Sequence, residues 1–151
     1  MFKIINHEEA VKEFHMNNHH AIIENYDKRI KGQAERGRYD LYIENHDIYG
    51  IINSEFNRRG FYFDSYRNIH WEKPIPTVHS IEENSAAYYK DIADKRNEYV
   101  LKEIDNRIRN LLKDPYKRNI DISDLDISIE VMKELIEAEY HYDTGMLYVI
   151  K

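Results

Sequence analysis

The segment RRGFYFDSYRNIHW, residues 58–71, decides how the middle of the chain folds. Two arginines and a glycine lead into alternating aromatic side chains, and a period of two residues predicts a β-strand. A second strand is predicted over 48–56, and residues 57–60 would form the loop between the two. Because four-residue loops are common in hairpins, this part of the chain predicts an antiparallel hairpin sheet.

The pairing of this hairpin predicts which aromatic side chains are buried. One face of the two strands is apolar and consists of Ile48, Ile52, Phe56, Phe61, Phe63 and Ile69. Because the register fixes which face meets the core, Phe61 and Phe63 are predicted to be buried. Tyr62, Asp64 and Tyr66 would then face water, and the two arginines would lie at the tip of the loop.

The same segment resembles the aromatic signature of the RNA-recognition motif, which runs basic, glycine, aromatic, small, aromatic, aliphatic, any, aromatic. The matching residues are Arg59, Gly60, Phe61, Phe63 and Tyr66. Tyr62 and Asp64 depart from the signature. The resemblance implies that the two phenylalanines stack on bases, which would put Asp64 in the core, where an unpaired carboxylate is costly. Because of this cost, an RNA- or DNA-binding module that uses 58–71 is an alternative and not the leading prediction.

Helices are predicted on both sides of this sheet. Asn6 followed by Glu9 forms a capping box, so a helix should begin directly after it. The polar run NNHH at 17–20 is expected to divide it into two N-terminal helices. The second of them should end near Gly32 or Gly37.

One long central helix is predicted from the capping box of Ser80 and Glu83 to Asp114, with Pro115 ending it. Apolar residues recur at a spacing near 3.6 residues: Tyr89, Ala93, Val100, Ile104, Ile108 and Leu111. Four acid-to-base pairs stand four residues apart: Asp91/Lys95, Glu98/Lys102, Glu103/Arg107 and Asp105/Arg109. The pattern predicts one buried face and one exposed, salt-bridged face.

A shorter helix and a terminal hairpin are predicted for the last part of the chain. The helix is favoured over most of 124–136, with Ser123 and Asp126 as its cap, and a strand is the alternative for 120–131 because LDISIEV alternates. Its apolar positions are Leu125, Ile129, Met132 and Ile136. The segment EAEYHYDTGMLYVI alternates and turns at Thr144-Gly145, which predicts a hairpin. Together these patterns predict a single α+β domain over 1–151: an antiparallel hairpin sheet with N-terminal helices, one long central helix and a C-terminal helix plus hairpin.

The composition narrows the class of protein. Charged residues make up 33% of the chain and aromatic residues 13%, which favours a folded domain over a disordered chain. The absence of cysteine excludes disulfides and thiolate chemistry. No apolar run is long enough to cross a membrane, and the N-terminus MFKIINHEEAVKEF has no signal-peptide pattern. A cytoplasmic protein without membrane contact is expected.

The net charge of −6 comes from the end of the chain. Residues 120–151 contain eight acidic and two basic side chains, which accounts for the whole imbalance. The acidic residues are Asp121, Asp124, Asp126, Glu130, Glu134, Glu137, Glu139 and Asp143. A negative field of this kind can steer binding to a basic groove, including one built for nucleic acid.

Catalytic motifs are scarce in the sequence. It has no phosphate-binding loop, no GxGxxG and no GxSxG. On a strand, Glu139, His141 and Asp143 would project from one face about 6.5–7 Å apart. Such a set could hold a divalent metal for phosphodiester hydrolysis, so a metal-dependent nuclease is a second alternative. The leading expectation is that the protein has no catalytic residue, no metal and no cofactor.

In size, acidity and lack of cysteine and of catalytic motifs, the chain resembles small phage-encoded inhibitors of host nucleases, such as anti-CRISPR proteins that bind Cas nucleases. The resemblance is one of build, carried by no residue motif, and it implies a class of partner in a bacterial host cell. The leading hypothesis is a non-catalytic acidic protein-binding module that inhibits a nucleic-acid-processing enzyme. Its partner would be a protein with a basic, nucleic-acid-binding groove. The predicted contact residues are the eight acidic residues named above with Arg58, Arg59, Tyr62 and Tyr66.

Overall fold

The computed structural model describes residues 2–44, 49–80 and 82–150. These residues include four α-helices, one short 3₁₀ helix and two three-stranded antiparallel sheets. The helices are α1 (His7–Glu35), α2 (Tyr49–Arg58), α3 (Ala86–Leu111) and α4 (Ile129–Glu137). The strands are β1 (Asp40–Tyr42), β2 (Tyr62–Phe63), β3 (Asn68–His70), β4 (Asn119–Asp121), β5 (His141–Asp143) and β6 (Met146–Tyr148). The α+β class is confirmed.

The chain divides into two compact units, each with its own sheet. The first unit contains Met1–Gly32 and Tyr39–Lys90, and its strands are ordered β1-β3-β2. The second unit contains Gln33–Arg38 and Asp91–Lys151, and its strands are ordered β4-β6-β5. The single domain over 1–151 stays a prediction.

The predicted strand over 48–56 is wrong, because residues 49–58 form α2. Ile52 and Phe56 are buried while Ser54 between them is exposed, which fits one face of a helix, whereas a strand would place all three on the same face. The predicted loop 57–60 is the end of this helix. The predicted core position of Ile48 lies outside the described residues.

A glycine-dependent motif ends α2. The Phe61 N–H donates to the Phe56 carbonyl at 3.0 Å, and the Gly60 N–H donates to the Asn57 carbonyl at 3.1 Å. These two bonds form a Schellman motif, in which the residue after the cap takes a left-handed conformation. Gly60 has that conformation, with φ of +89°. The arginine-glycine-aromatic sequence is therefore a helix end, and Arg58 and Arg59 do not lie at a hairpin tip.

The predicted strand 61–69 is itself a hairpin. β2 and β3 pair antiparallel with Phe63 opposite Ile69, and β1 pairs on the other side of β3 with Leu41 opposite Ile69. Phe61 is fully buried as predicted, whereas Phe63, which was also predicted to be buried, is only half-buried. The partner of this segment is thus β1 together with its own second half, and the 48–56 segment is not part of the sheet.

The N-terminal helix begins where its cap predicts and is not divided. The Glu9 N–H donates to Asn6 Oδ1 at 2.9 Å, so Asn6 caps α1. The division at 17–20 is wrong, because Asn18 fits the helix by donating its side-chain amide to the Phe14 carbonyl at 2.8 Å. The helix ends at Glu35 and is followed by Gly37, whose φ is +76°.

The central helix α3 has the predicted buried and charged faces. All six predicted apolar positions are buried, and all four predicted acid-to-base pairs form at 2.8–3.1 Å. Its start differs from the prediction, since the helix begins at Ala86 and not at Ser80. Ser85 Oγ accepts a hydrogen bond from the Tyr88 N–H, so Ser85 replaces Ser80 as the cap.

The C-terminal helix begins later than predicted. Ser123–Leu125 is a 3₁₀ helix, and α4 begins at Ile129 after the cap Ser128. This phase buries Val131 and Leu135. The terminal hairpin of β5 and β6 is confirmed, and the sequence patterns missed β4, which pairs with β6. The core of the second unit consists of Val100, Ile104, Ile108, Ile122, Leu125, Val131, Leu135 and Leu147.

Candidate functional site

The predicted acidic residues lie on three consecutive parts of the second unit. Asp121, Asp124 and Asp126 precede α4, and Glu139 and Asp143 follow it. The remaining three are on α4 itself: Glu130, Glu134 and Glu137.

Two of these aspartates are ion-paired within the unit. Arg107 donates from Nη1 and Nη2 to the two carboxylate oxygens of Asp124, at 2.8 Å each. Arg36 Nε lies 2.7 Å from Asp126 Oδ2, and Arg38 Nη2 lies 3.4 Å from Asp126 Oδ1. These hydrogen bonds from Arg107 and Arg36 lower the pKa of the two carboxyl groups. The arginines therefore weaken the negative field around residues 121–126.

The glutamates of α4 form an acidic row. Glu130, Glu134 and Glu137 are spaced four and three residues apart, so they share one helix face. Glu134 and Glu137 are exposed, and neither has an ion pair within the described ranges. Glu130 has only a long contact of 3.8 Å with Lys133. This row keeps most of its charge available to a partner.

An exposed apolar row lies on the other flank of the exposed side of α4, about 130° around the helix from the acidic row and with Lys133 between the two. Ile129 and Ile136 are 64% and 60% exposed, and half-buried Met132 stands between them. The sequence patterns missed this exposure because they assigned these residues to the inner side of the helix. The cap Ser128 sets the true phase, which turns Val131 and Leu135 inward. We call the two rows together the α4 surface: Ile129, Glu130, Met132, Glu134, Ile136 and Glu137.

A buried polar chain fixes the start of α4. Ser128 Oγ accepts from the Val131 N–H at 3.2 Å and donates to Asn97 Oδ1 at 2.8 Å. Asn97 Nδ2 donates to the Gly37 carbonyl at 3.0 Å. Because Asn97 and Ser128 are both buried, these bonds are shielded from water and hold the helix in one orientation.

The two predicted contact arginines occupy different environments. Arg58 is 44% exposed and pairs with Glu55. Arg59 is 13% exposed and donates from Nη1 to both carboxylate oxygens of Asp27, at 2.8 and 3.0 Å. Tyr89 also donates its hydroxyl to Asp27 Oδ1 at 3.0 Å, and burial followed by the nearby Asp27 charge raises the pKa of Tyr89. Arg59 is thus part of a buried network, which limits its contact with a partner.

The predicted exposure of Tyr62 and Tyr66 is confirmed, at 52% and 77%. The register places Tyr62, His70 and Asp40 in one row across β2, β3 and β1, so they share the outer face of the sheet. The rings of Tyr62 and His70 lie 5.6 Å apart. The sequence patterns missed Asp40 as a neighbour of Tyr62, because that relationship depends on the pairing of β1 with β3.

An arginine on this outer face is stacked on a tyrosine of the same unit. The Arg67 guanidinium lies 5.7 Å from the centroid of the Tyr42 ring, and its Nη2 donates to the Tyr42 hydroxyl at 3.1 Å. We call this surface the tyrosine face: Asp40, Tyr42, Tyr62, Tyr66, Arg67 and His70.

Asp64, which was predicted to face water, is half-buried and organises the turn next to the tyrosine face. Its Oδ1 accepts from the backbone N–H groups of Tyr66 and Asn68 at 2.9 and 3.0 Å, and its Oδ2 lies 2.8 Å from His70 Nε2. The hydrogen bond from His70 and those from the two backbone groups hold the pKa of Asp64 well below its usual range. Asp64 is thus an ionised anchor of the β2–β3 turn.

The proposed metal set is not assembled. Glu139 has a φ of +67° at the end of α4 and lies outside β5, so it does not alternate with His141 and Asp143. Within 2–44, 49–80 and 82–150, no group of three histidine, aspartate or glutamate side chains could hold a metal ion.

Comparison of the chain with protein-family models, with characterised proteins and with solved structures gives no match in any of the three. Among the described helices, none combines the length and apolar character needed to cross a lipid bilayer.

Proposed function

We propose that this protein is a non-catalytic binding module that attaches to a basic protein surface through the α4 surface. The observation that carries the proposal is that the exposed side of one short helix has an acidic row on one flank, with no strong ion pair to a described residue, and an exposed isoleucine row on the other. The partner would be a nucleic-acid-processing enzyme that is inhibited when its basic groove is occupied, and a Cas nuclease is the leading example.

The two rows would contribute in different ways. Burying Ile129 and Ile136 against a partner removes apolar area from water, which is the main source of binding free energy. The carboxylates of Glu130, Glu134 and Glu137 would speed the encounter with a basic groove and select against acidic partners. A helix that places apolar and charged rows in a groove is a recurring mode of protein recognition.

The experiment uses purified Cas nucleases of several types, each loaded with guide RNA. Binding is measured by biolayer interferometry and inhibition by cleavage of target DNA. The test variant carries Glu130→Gln, Glu134→Gln and Glu137→Gln. The matched control carries Asp91→Asn, Glu98→Gln and Asp105→Asn, which removes the same charge from exposed positions of α3.

We expect the α4 variant to bind at least about tenfold more weakly and to lose its dependence on salt, because the steering charges are gone. The α3 variant should bind like the wild type. The proposal is wrong if no nuclease in the panel binds the wild type, or if both variants bind equally well.

The metal-dependent nuclease has less support, since Glu139 lies outside the strand that carries His141 and Asp143 and has a left-handed backbone conformation. The nucleic-acid-binding alternative depends on the exposed aromatic residues of the first unit, whose chemistry is considered next.

A further inference from the structure

The tyrosine face belongs to the first unit, and the α4 surface belongs to the second. Two of its residues, Tyr62 and Tyr66, were predicted to contact a partner, and both are exposed. Asp40 is also exposed, and its carboxylate has no hydrogen bond or ion pair with any described residue. The combination of exposed aromatic rings with an exposed carboxylate indicates which kind of chemical group this surface can bind.

The chemistry of this surface favours a cation. The face of an aromatic ring carries partial negative charge, so it attracts a guanidinium or ammonium group. Arg67 already shows this within the chain, because its guanidinium lies over the Tyr42 ring and donates to the Tyr42 hydroxyl. No cation of the described residues lies over the Tyr62 ring, and Tyr62 shares its cross-strand row with the exposed carboxylate of Asp40.

The spacing of the row suits a planar cation. Adjacent strands are about 4.8 Å apart, so Tyr62 and Asp40 are separated by about 10 Å with the His70 ring between them. A guanidinium can stack on the Tyr62–His70 pair and still present its edge to the Asp40 carboxylate. Arginine suits this arrangement better than lysine, because its flat group can stack and donate at the same time.

We propose that the tyrosine face binds an arginine side chain of a protein partner, with the guanidinium stacked on Tyr62 and paired with Asp40. The proposal rests on the proposed function, since it assigns a second contact to the same kind of basic partner. Arginine binding by the face can nevertheless be measured without that partner. Tyrosine and arginine are the residues most enriched at the energetic centres of protein interfaces.

The rigidity of the face supports this assignment. Asp64 holds the turn at Tyr66 and Asn68, and His70 is held by Asp64 while its ring contacts Tyr62. A surface that is ordered before binding loses less conformational entropy when the partner arrives.

The charges disfavour a nucleic acid as the occupant. The first unit contains 10 basic and 13 acidic side chains. On the tyrosine face itself, Arg67 is engaged with Tyr42, and Asp40 and the adjacent Asp64 carry negative charge. Because phosphate contacts supply most of the affinity of non-specific nucleic-acid binding, stacking on Tyr62 would be opposed by repulsion of the backbone.

The test is a nuclear magnetic resonance titration of the full ¹⁵N-labelled chain. The probes are the blocked peptide Gly-Arg-Arg-Gly, the same peptide with citrulline in place of arginine, and a six-nucleotide oligouridine. The test variants are Tyr62→Ala and Asp40→Asn. The controls are Tyr116→Ala, which removes an exposed tyrosine of the second unit, and the triple glutamine variant of α4.

We expect the arginine peptide to shift the amide signals of residues 40, 62 and 70 and the citrulline peptide to leave them unchanged. Each test variant should weaken this binding roughly two- to fivefold, the size of an exposed cation–π or ion-pair contact, and the controls should not. Equal binding of citrulline, a response to oligouridine alone, or shifts confined to α4 would each overturn the proposal. If the α4 variant still binds the arginine peptide, the proposal for the tyrosine face is supported even if no nuclease in the panel binds the wild type.

Discussion

The ring of Phe61 lies edge to face against the ring of Phe56, with 5.0 Å between their centroids, across the end of α2. Such a hydrophobic contact commonly accompanies the Schellman motif. The same two residues are also joined by the hydrogen bond from the Phe61 N–H to the Phe56 carbonyl. Gly60 lies between them in the left-handed conformation. The contact explains why an arginine-glycine-aromatic sequence that resembles an RNA-binding strand instead ends a helix and begins the core.

Gly60→Ala should destabilise the protein by at least about 2 kcal/mol. A Cβ at this position would lie 2.6 Å from the Ile75 carbonyl oxygen, and the φ of +89° is unfavourable for any side chain. Gly32→Ala is the matched control, because its Cβ would meet nothing within 4 Å in the described chain beyond its own neighbours and the local helix backbone, and α1 should gain about 0.5–1 kcal/mol. Urea unfolding of both variants measures the difference. If the two variants are equally stable, a side chain at position 60 causes no strain.

The segment 48–71 shows which structural features can be predicted from the sequence alone. The burial of Phe61 and the exposure of Tyr62 were predicted correctly, although the element paired with them was not. Short apolar runs such as 48–56 fit a strand and a buried helix equally well, and tertiary packing selects between them. The local signals of Asn6 and of the α3 ion pairs needed no such context, so they were predicted well.

The candidate sites could be predicted only in part for a related reason. The acidity of residues 121–143 is visible in the sequence, but its neutralisation by Arg36 depends on a contact between residues 90 positions apart. The exposure of Ile129 and Ile136 depends on which side of α4 packs against the core, and that side carries Val131 and Leu135. The row of Tyr62 and Asp40 requires the strand order β1-β3-β2. These relationships are tertiary, and no local pattern encodes them.

Replacing Arg59 should be far more costly than replacing its neighbour. Arg59→Met leaves the carboxylate of Asp27 in a mostly buried site without the guanidinium whose Nη1 donates to both of its oxygens, which is expected to cost about 3–5 kcal/mol. Arg58→Met removes a partly exposed contact with Glu55 and should cost at most about 1 kcal/mol. Thermal and urea unfolding of the two variants give the comparison. If both lose the same small amount, Arg59 is available to a partner and not structural.

Asn97→Ala should destabilise the second unit by about 2–3 kcal/mol. The variant removes the acceptor of the Ser128 hydroxyl and the donor to the Gly37 carbonyl, and both groups are left without a partner in the interior. Asn110→Ala on the same helix is the control, since Asn110 is exposed and alanine favours the helix. Hydrogen exchange at the first turn of α4 provides a local readout. Unchanged protection there would contradict the role given to Asn97.

Asp64→Asn should destabilise the protein near neutral pH, with the difference becoming smaller in acid. The folded-state pKa of Asp64 lies below its unfolded value of about 4, so ionised Asp64 stabilises the fold above that value. The stabilisation is lost as the pH falls toward the folded-state pKa. We expect a loss of about 1–3 kcal/mol at neutral pH in urea unfolding. Asp91→Asn, which affects an exposed pair with Lys95, should show a much smaller and flatter difference. A loss that grows as the pH falls would contradict this account.

Glu139→Gly should stabilise the protein while removing a carboxylate from the acidic segment. The Glu139 N–H donates to the Ile136 carbonyl and the Tyr140 N–H to the Leu135 carbonyl, so Glu139 occupies the position in the α4 cap that glycine occupies in α2. Its φ of +67° costs roughly 1–2 kcal/mol for a residue with a Cβ, which glycine avoids at the expense of greater freedom in the unfolded chain. We expect a net gain of about 0.5–1 kcal/mol in urea unfolding. Glu137→Gly, inside the last turn of the same helix, removes the same charge and should instead cost about 0.5–1 kcal/mol. If Glu139→Gly destabilises as much as Glu137→Gly, the Glu139 carboxylate makes a stabilising contact that outweighs the strain of its backbone.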